Sequence, residues 1–202
     1  MKKVLLLFTI LIVSVMTTAC INNLAIQELN NKAAAYMDKG DTETAICRLK
    51  SSLDLDTEIY QTHYNLAVAY NTIGKYEDSV VESEKVIELK PDFPEAFYTL
   101  AIAKEEVAYK IINKVPNEDE STPELTLDEI SEFNNNAQES IDAYNTFLVK
   151  KVDAQETQQI NEKIAELNSK IKELTQLYDD ISAKNQKQIS EELNHQQEQI
   201  LE

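Results

Sequence analysis

Three patterns of apolar positions run along the chain. The first is an apolar core spanning 13 residues, Val4 to Met16, with only Thr9 and Ser14 polar, behind Met1-Lys2-Lys3 and ahead of Thr17-Thr18-Ala19-Cys20. The second recurs every 34 residues: Ala33, Ala67 and Ala101 share it, as do Tyr36 with Tyr70, Ile46 with Val80, Leu53 with Ile87, and Leu55 with Leu89. The third is a seam of Ile160, Ile164, Leu167, Ile171, Leu174, Tyr178 and Ile181, whose steps alternate four and three. An export segment, pairs of packed helices and one long helix with a heptad seam are the elements these patterns predict.

Punctuation between the apolar positions supports the pairing. The only two glycines, Gly40 and Gly74, lie 34 residues apart, where a first helix would end and the chain reverse. Positive φ there costs a non-glycine residue about 1–2 kcal/mol. The small residues Ala33, Ala67 and Ala101 let a second helix approach the first closely. Pro91 cannot continue a second helix, and Asp92-Phe93-Pro94-Glu95 supplies a capping candidate and an early-turn proline for the next.

The stretch from His63 to Val80, closed by Leu89-Lys90-Pro91, resembles the tetratricopeptide repeat. The resemblance covers residues 26–93 well and 94–150 in part. It implies an all-α helical-repeat solenoid of about three repeats over residues 26–153, the third carrying an insertion, followed by a C-terminal capping or heptad helix with a polar tail over 154–202. It also implies a curved stack whose concave side is lined by the first helix of each pair. Asn30, Tyr64 and Tyr98, then Ala34, Val68 and Ile102, then Asn71 and Thr72, fall on that side. Members of the family that clamp a chaperone's C-terminal carboxylate carry Lys and Arg there. Asn, Tyr and aliphatics stand there in this chain, which disfavours that partner class. Tyr64 and Tyr98 are amphipathic and serve equally for packing against neighbouring turns.

The third unit departs from the period. Pro94 to Ala101 begins on schedule, but position 108 is Ala where a glycine was due, and Ser140 stands where position 113 would match Ser79, so about 27 residues are inserted at about 108–134. The spacing predicts a first helix running on to about Lys114 and a second resuming near Gln138. Between them, Val115 to Pro123 reads as an acidic, proline-bounded loop, and Thr126-x-x-Glu129 as a capping box. Beyond Ser182 the heptad seam is lost and only Ile189, Leu193, Ile200 and Leu201 remain apolar at its side. The seam either caps the last repeat or pairs with another copy.

Composition fits helices: 2 Gly and 4 Pro among 202 residues, 43% hydrophobic, no Trp. Charge changes the picture more. With 36 acidic against 19 basic residues the net charge is -17, which repels phosphate backbones and excludes nucleic acid as a natural partner. The basic, apolar and small-residue order of residues 1–19 reads as a signal peptide, its apolar core shorter than the ~20 residues a membrane-crossing helix needs. Cys20 after that run resembles the lipobox of bacterial lipoproteins, with residues 20–25 as linker, although Thr17 stands where that family has an aliphatic residue. Ordinary cleavage after Ala19 is the competing reading. Loss of Lys2 and Lys3 would take the net charge from -17 to -19.

The chain offers little chemistry. Two cysteines make neither a disulfide framework nor a zinc site, and a lone Cys47 in an oxidising compartment is expected to be buried. No phosphate loop, nucleophilic triad or His-Glu-x-x-His spacing occurs, so neither enzyme, cofactor nor metal is expected. His63 falls in a bulky helix-packing slot as a partly buried structural residue, and His195 reads as surface. The sequence therefore points to an exported, lipid-anchored adaptor of the bacterial cell envelope, on the periplasmic side of the outer membrane. Cys20 is its lipidation site, and Asn30, Ala34, Tyr64, Val68, Asn71, Tyr98 and Ile102 form a groove for a peptide or helix of a protein partner. The alternative is a self-associating structural lipoprotein built on the heptad helix, with weak homodimerisation as its mildest form.

Overall fold

A computed structural model describes residues 22–113, 125–151 and 154–201. The signal segment, Cys20 and the acidic stretch from Val115 to Pro123 lie outside the described residues. Those described are all-α: α1 over 22–37, α2 Thr42–Leu53, α3 Tyr60–Thr72, α4 Tyr76–Leu89, α5 Pro94–Ile112, α6 Leu127–Lys150 and α7 Ala154–Leu201. The chain divides into two compact units, one ending at Thr99 and one beginning at Leu100. None of the described helices is long and apolar enough to cross a membrane. The fold is a run of helix pairs followed by one long C-terminal helix.

In the first unit the two helix pairs are punctuated identically. Gly40 has φ +79° and Gly74 φ +72°, and no other described residue has positive φ. After α1, the Gly40 amide donates to Met37 O (2.9 Å) and the Asp41 amide to Tyr36 O (2.9 Å); after α3, Gly74 donates to Asn71 O (3.2 Å) and Lys75 to Tyr70 O (2.9 Å). These are the paired bonds of a Schellman turn, which satisfy the carbonyls a helix leaves open. The next residues even share dihedrals, φ -89° and ψ 65° at both Asp41 and Lys75. A Cβ would meet nothing within 4 Å at Gly40, so handedness and not space requires glycine there. Ala33, Ala45, Leu49, Leu66 and Ala69 are buried together between the helices, with Tyr70 at their edge. α4 stops at Leu89, and Lys90 is already extended (φ -145°, ψ 79°), as a residue before proline must be.

In the second unit α6 starts at the expected capping box: Thr126 Oγ1 accepts from the Glu129 amide (3.2 Å) and Glu129 Oε2 from the Thr126 amide (3.0 Å). The helices flanking the insertion are longer than the repeat requires, 19 residues in α5 and 24 in α6 against 13 in α3. Much of the added length is therefore helix, and α6 begins at Leu127, directly after the capping box. Its register is recovered at Ser140, whose hydroxyl donates to Ala101 O at 2.8 Å just as Ser79 donates to Ala67 O at 2.9 Å.

α7 lies along α6. Ile160, Leu167 and Leu174 are fully buried there, while Ile164 and Ile171 are half-buried, so one side of the heptad seam packs within the chain. Past Ser182 every residue through Gln196 is exposed, including Ile189 (58%) and Leu193 (54%). Cys47 corrects an expectation: it is exposed. On α2 the core positions are Ala45, Ile46, Leu49 and Ser52, and a residue between them on a 3.6-residue turn points to solvent.

Candidate functional site

α1 and α3 are the first helices of the two pairs in the first unit, and a cleft of about 540 Å³ opens between them. Carboxamides dominate its lining: Asn23, Gln27, Asn30 and Asn31 from α1, Gln61 and Asn65 from α3, with Ile26 and Ile59 as the apolar lining. Among the described residues no charged side chain lines it. Two of the pairs follow the period of the chain, Gln27 with Gln61 and Asn31 with Asn65. Within each helix these residues are four apart and share one face.

Asn30 fixes this wall. Its Nδ2 donates to Ile26 O (3.0 Å), Ser52 Oγ (3.1 Å) and Thr62 Oγ1 (2.9 Å), which orients the amide and ties α1 to α2 and α3. Its Oδ1 accepts from Asn65 Nδ2 at 2.9 Å. One N–H of Asn65 is thereby committed, and its other N–H and its carbonyl have no protein partner among the described residues.

The remaining expected groove residues are distributed as follows. Tyr64 is half-buried with its ring edge-on to Phe93, centroids 5.0 Å apart at 87°, and Tyr60 meets the same ring at 5.4 Å, so both tyrosines pack on the turn before α5. Val68 is half-buried and Ala34 exposed. Asn71 Nδ2 donates to Thr99 O (3.2 Å), while its buried Oδ1 meets no donor among the described residues. Tyr98 is half-buried in the first unit, and Ile102, also half-buried, belongs to the second. Only Asn30 of the expected set lines the amide cleft. Gln27, Asn31, Gln61 and Asn65 were missed, although their 34-residue spacing was readable.

His63 is buried (7% exposed) beside α4: Nδ1 lies 2.6 Å from Glu82 Oε2 and Nε2 2.9 Å from Thr57 O. Acceptors at both nitrogens require both to carry protons. The hydrogen bond to Glu82 accordingly raises the pKa of His63 above its ordinary value, against the opposing effect of burial. In the second unit the nearly buried Glu105 of α5 accepts from Tyr144 of α6 (2.6 Å) and from Lys163 Nζ of α7 (2.7 and 2.9 Å), joining three helices. Burial, with the Glu166 charge second, pushes the Tyr109 phenol up to about 12. These polar groups are all engaged in holding helices together, and among the described residues no group of three or more His, Cys, Asp or Glu converges to hold a metal.

Comparison with known proteins decides the character of the helix pair α3–α4: the family model described as "Tetratricopeptide repeat" matches residues 60–93. The likeness to a tetratricopeptide repeat is carried by those residues. The match includes Tyr64, Asn65, Val68 and Asn71, and it ends on Phe93, the ring that receives Tyr60 and Tyr64. No curated protein sequence matches the chain. Among solved structures, the second tetratricopeptide-repeat domain of human RPAP3, determined with the HSP70 peptide SGPTIEEVD, superposes with a TM-score of 0.54 at 14% identity, over 73% of this chain and 98% of that one. The TPR2B domain of yeast Sti1 in complex with pHsp70 gives 0.54 at 13%, over 73% and 98%. The P58(IPK) tetratricopeptide-repeat domain gives 0.58 at 15%, over 79% of this chain and 37% of that one. At such identities the likeness concerns the helical-repeat fold.

Proposed function

We propose that this protein is an exported, lipid-anchored adaptor that holds a segment of a protein partner on the groove side of its tetratricopeptide repeats at a bacterial envelope membrane. The observation that carries the reading is the repeat over residues 60–93, together with structural neighbours determined with peptides bound. Charge narrows the partner. Among the described residues the amide cleft has no Lys or Arg to meet a terminal carboxylate, and the net charge of -17 favours approach of a neutral or basic segment over an acidic one. Tyr64, Val68 and Tyr98, all of the first unit, supply apolar anchors, each contributing roughly 1.5–3 kcal/mol if fully buried, before ordering costs. Export and anchoring rest on residues 1–20: Cys20 becomes the acylated N-terminus, and outer-membrane, periplasm-facing placement goes with it.

Co-purification from native membranes tests both parts. The Cys20→Ala form should leave the membrane fraction, and mass spectrometry of the wild-type N-terminal peptide should find lipid on Cys20. The Val68→Glu form should lose its partner while keeping its helical signal and melting temperature. An unmodified Cys20 refutes the anchor, and undiminished capture by the Val68→Glu form refutes the groove.

A further inference from the structure

We infer that the turn between α2 and α3, residues 54–59, is a pH-sensitive latch: His63 holds it shut while both ring nitrogens carry protons and releases it on losing one, with the pair α3–α4 staying packed. The turn is weakly fastened otherwise. It contains neither glycine nor proline, whereas the turn from α4 to α5 is stiffened by Pro91. Its own hydrogen bonds are local: the amides of Leu55 and Asp56 reach Ser52 O at 3.1 and 3.3 Å, and the Glu58 amide reaches Asp56 Oδ1 at 2.9 Å. The bond that ties its middle to α3 comes from His63 Nε2, which donates to Thr57 O at 2.9 Å.

Packing alone does not call for a histidine there, since the 34-residue period puts Leu29 and Phe97 at the matching positions. The carboxylate of Glu82 on α4 and the carbonyl of Thr57 stand at opposite nitrogens of the ring, 2.6 and 2.9 Å away. Neutral imidazole has a single N–H to share between them. Once one proton leaves to solvent, the other stays on Nδ1, because a hydrogen bond to a carboxylate is roughly twice as strong as one to a neutral carbonyl. Nε2 then turns a lone pair toward Thr57 O, and that contact becomes repulsive. Lys85, also on α4, opposes the effect of Glu82 on the ring and is itself shared between Glu88 (3.1 Å) and Glu58 of the turn (3.9 Å). The longer contact, to a largely exposed carboxylate, is a weak tether. Asp54, Asp56 and Glu58 give the turn three acids and no base, so mutual repulsion favours its solvated, open form once the latch is free. Ile59 ends the turn and lines the cleft between α1 and α3, so release loosens one edge of that cleft.

The test uses the full chain with isotope-labelled histidine ring nitrogens, read by NMR, and the exposed His195 as reference within the same molecule. His63 should lose its proton at higher pH than His195 and keep the remaining one on Nδ1. Hydrogen exchange, corrected for the intrinsic effect of pH, should quicken about three- to tenfold across residues 54–59 between about pH 6 and pH 9, the worth of one hydrogen bond, and stay unchanged across α4. Glu82→Gln offers the ring an amide that donates to the bare Nδ1 and leaves the proton on Nε2 for Thr57 O, so its turn should stay protected at both ends of that range. His63→Phe, which copies Phe97 of the next unit, should leave the turn unprotected at both. A neutral His63 protonated on Nε2, wild-type protection that ignores pH, protection retained in His63→Phe, or a Glu82→Gln turn that opens as the wild type does overturns the inference. Equal quickening across α4 and the turn would show the whole repeat loosening and overturns it as well.

Discussion

Ser140 donates its hydroxyl proton to the main-chain carbonyl of Ala101 at 2.8 Å, from a position fully closed to solvent. The bond repeats that of Ser79 to Ala67 (2.9 Å), although the insertion separates Ser140 from its expected place by about 27 residues. Packing geometry, and not sequence distance, has kept the register. At the corresponding position of the first pair stands Ala45, fully buried, so alanine fits the slot. Ser79→Ala and Ser140→Ala should therefore each cost about 0.5–1.5 kcal/mol, the net value of one hydrogen bond, without a packing penalty. Urea midpoints with an unchanged denaturant slope would report it, and a larger loss would reveal a role beyond this bond.

Gly40→Ala and Gly74→Ala should each destabilise the first unit by about 1–2 kcal/mol through positive φ alone. At Gly40 no neighbour lies within 4 Å of the added methyl, so Gly40→Asn should recover part of that loss, since asparagine tolerates the left-handed region better. Thermal unfolding of the three variants separates strain from crowding.

His63 makes stability depend on pH. Because its folded pKa is raised by Glu82, the protonated contact stabilises the repeat fully below the ordinary histidine pKa of about 6.5, and that contribution is lost as pH rises through the folded value. Urea midpoints should fall between about pH 6 and pH 9 in the wild type and stay flatter in His63→Gln. A wild-type midpoint that rises with pH would reverse the assigned protonation.

The two halves of α7 should respond differently to truncation. Leu167→Ala or Leu174→Ala removes a buried side chain from the α6 contact and should cost about 2–5 kcal/mol. Leu193→Ala, at a position 54% exposed, should stay within about 0.5 kcal/mol of wild type. If Leu193→Ala also lowers molar mass in light scattering, the distal half is an interface between copies.

The legible parts of this molecule were those written in strong local chemistry. Gly40 and Gly74 marked both chain reversals because only one handedness closes those turns, and Thr126 with Glu129 marked the start of α6 because a helix leaves open donors there. The seam from Ile160 to Leu174 was legible in its alternating steps of four and three. Other features were carried by quieter signals. The turns that α6 gains ahead of Gln138 carry Ile130, Phe133 and Ala137 on the buried side, an apolar stripe outside the 34-residue period. Cys47 was judged by its compartment when its place between Ile46 and Leu49 already pointed it outward. The carboxamides of the cleft carry no hydrophobic period, and Asn30 looked like a groove residue while most of its bonds hold helices together.

The 48 residues of α7 make a rod about 72 Å long at 1.5 Å per residue, yet its buried contacts end at Leu174. Two clocks follow from this. Amides under Ile160 to Leu174 exchange with solvent only when the surrounding helices open, a slow event tied to the stability of the unit. Amides past Ser182 are guarded by hydrogen bonds of the helix alone, and helix–coil relaxation runs in about 0.1–1 μs. The distal turns can melt and re-form countless times during one opening of the core, so a protease, a crosslinker or a docking partner would meet them as chain and as helix by turns without disturbing the repeats behind them.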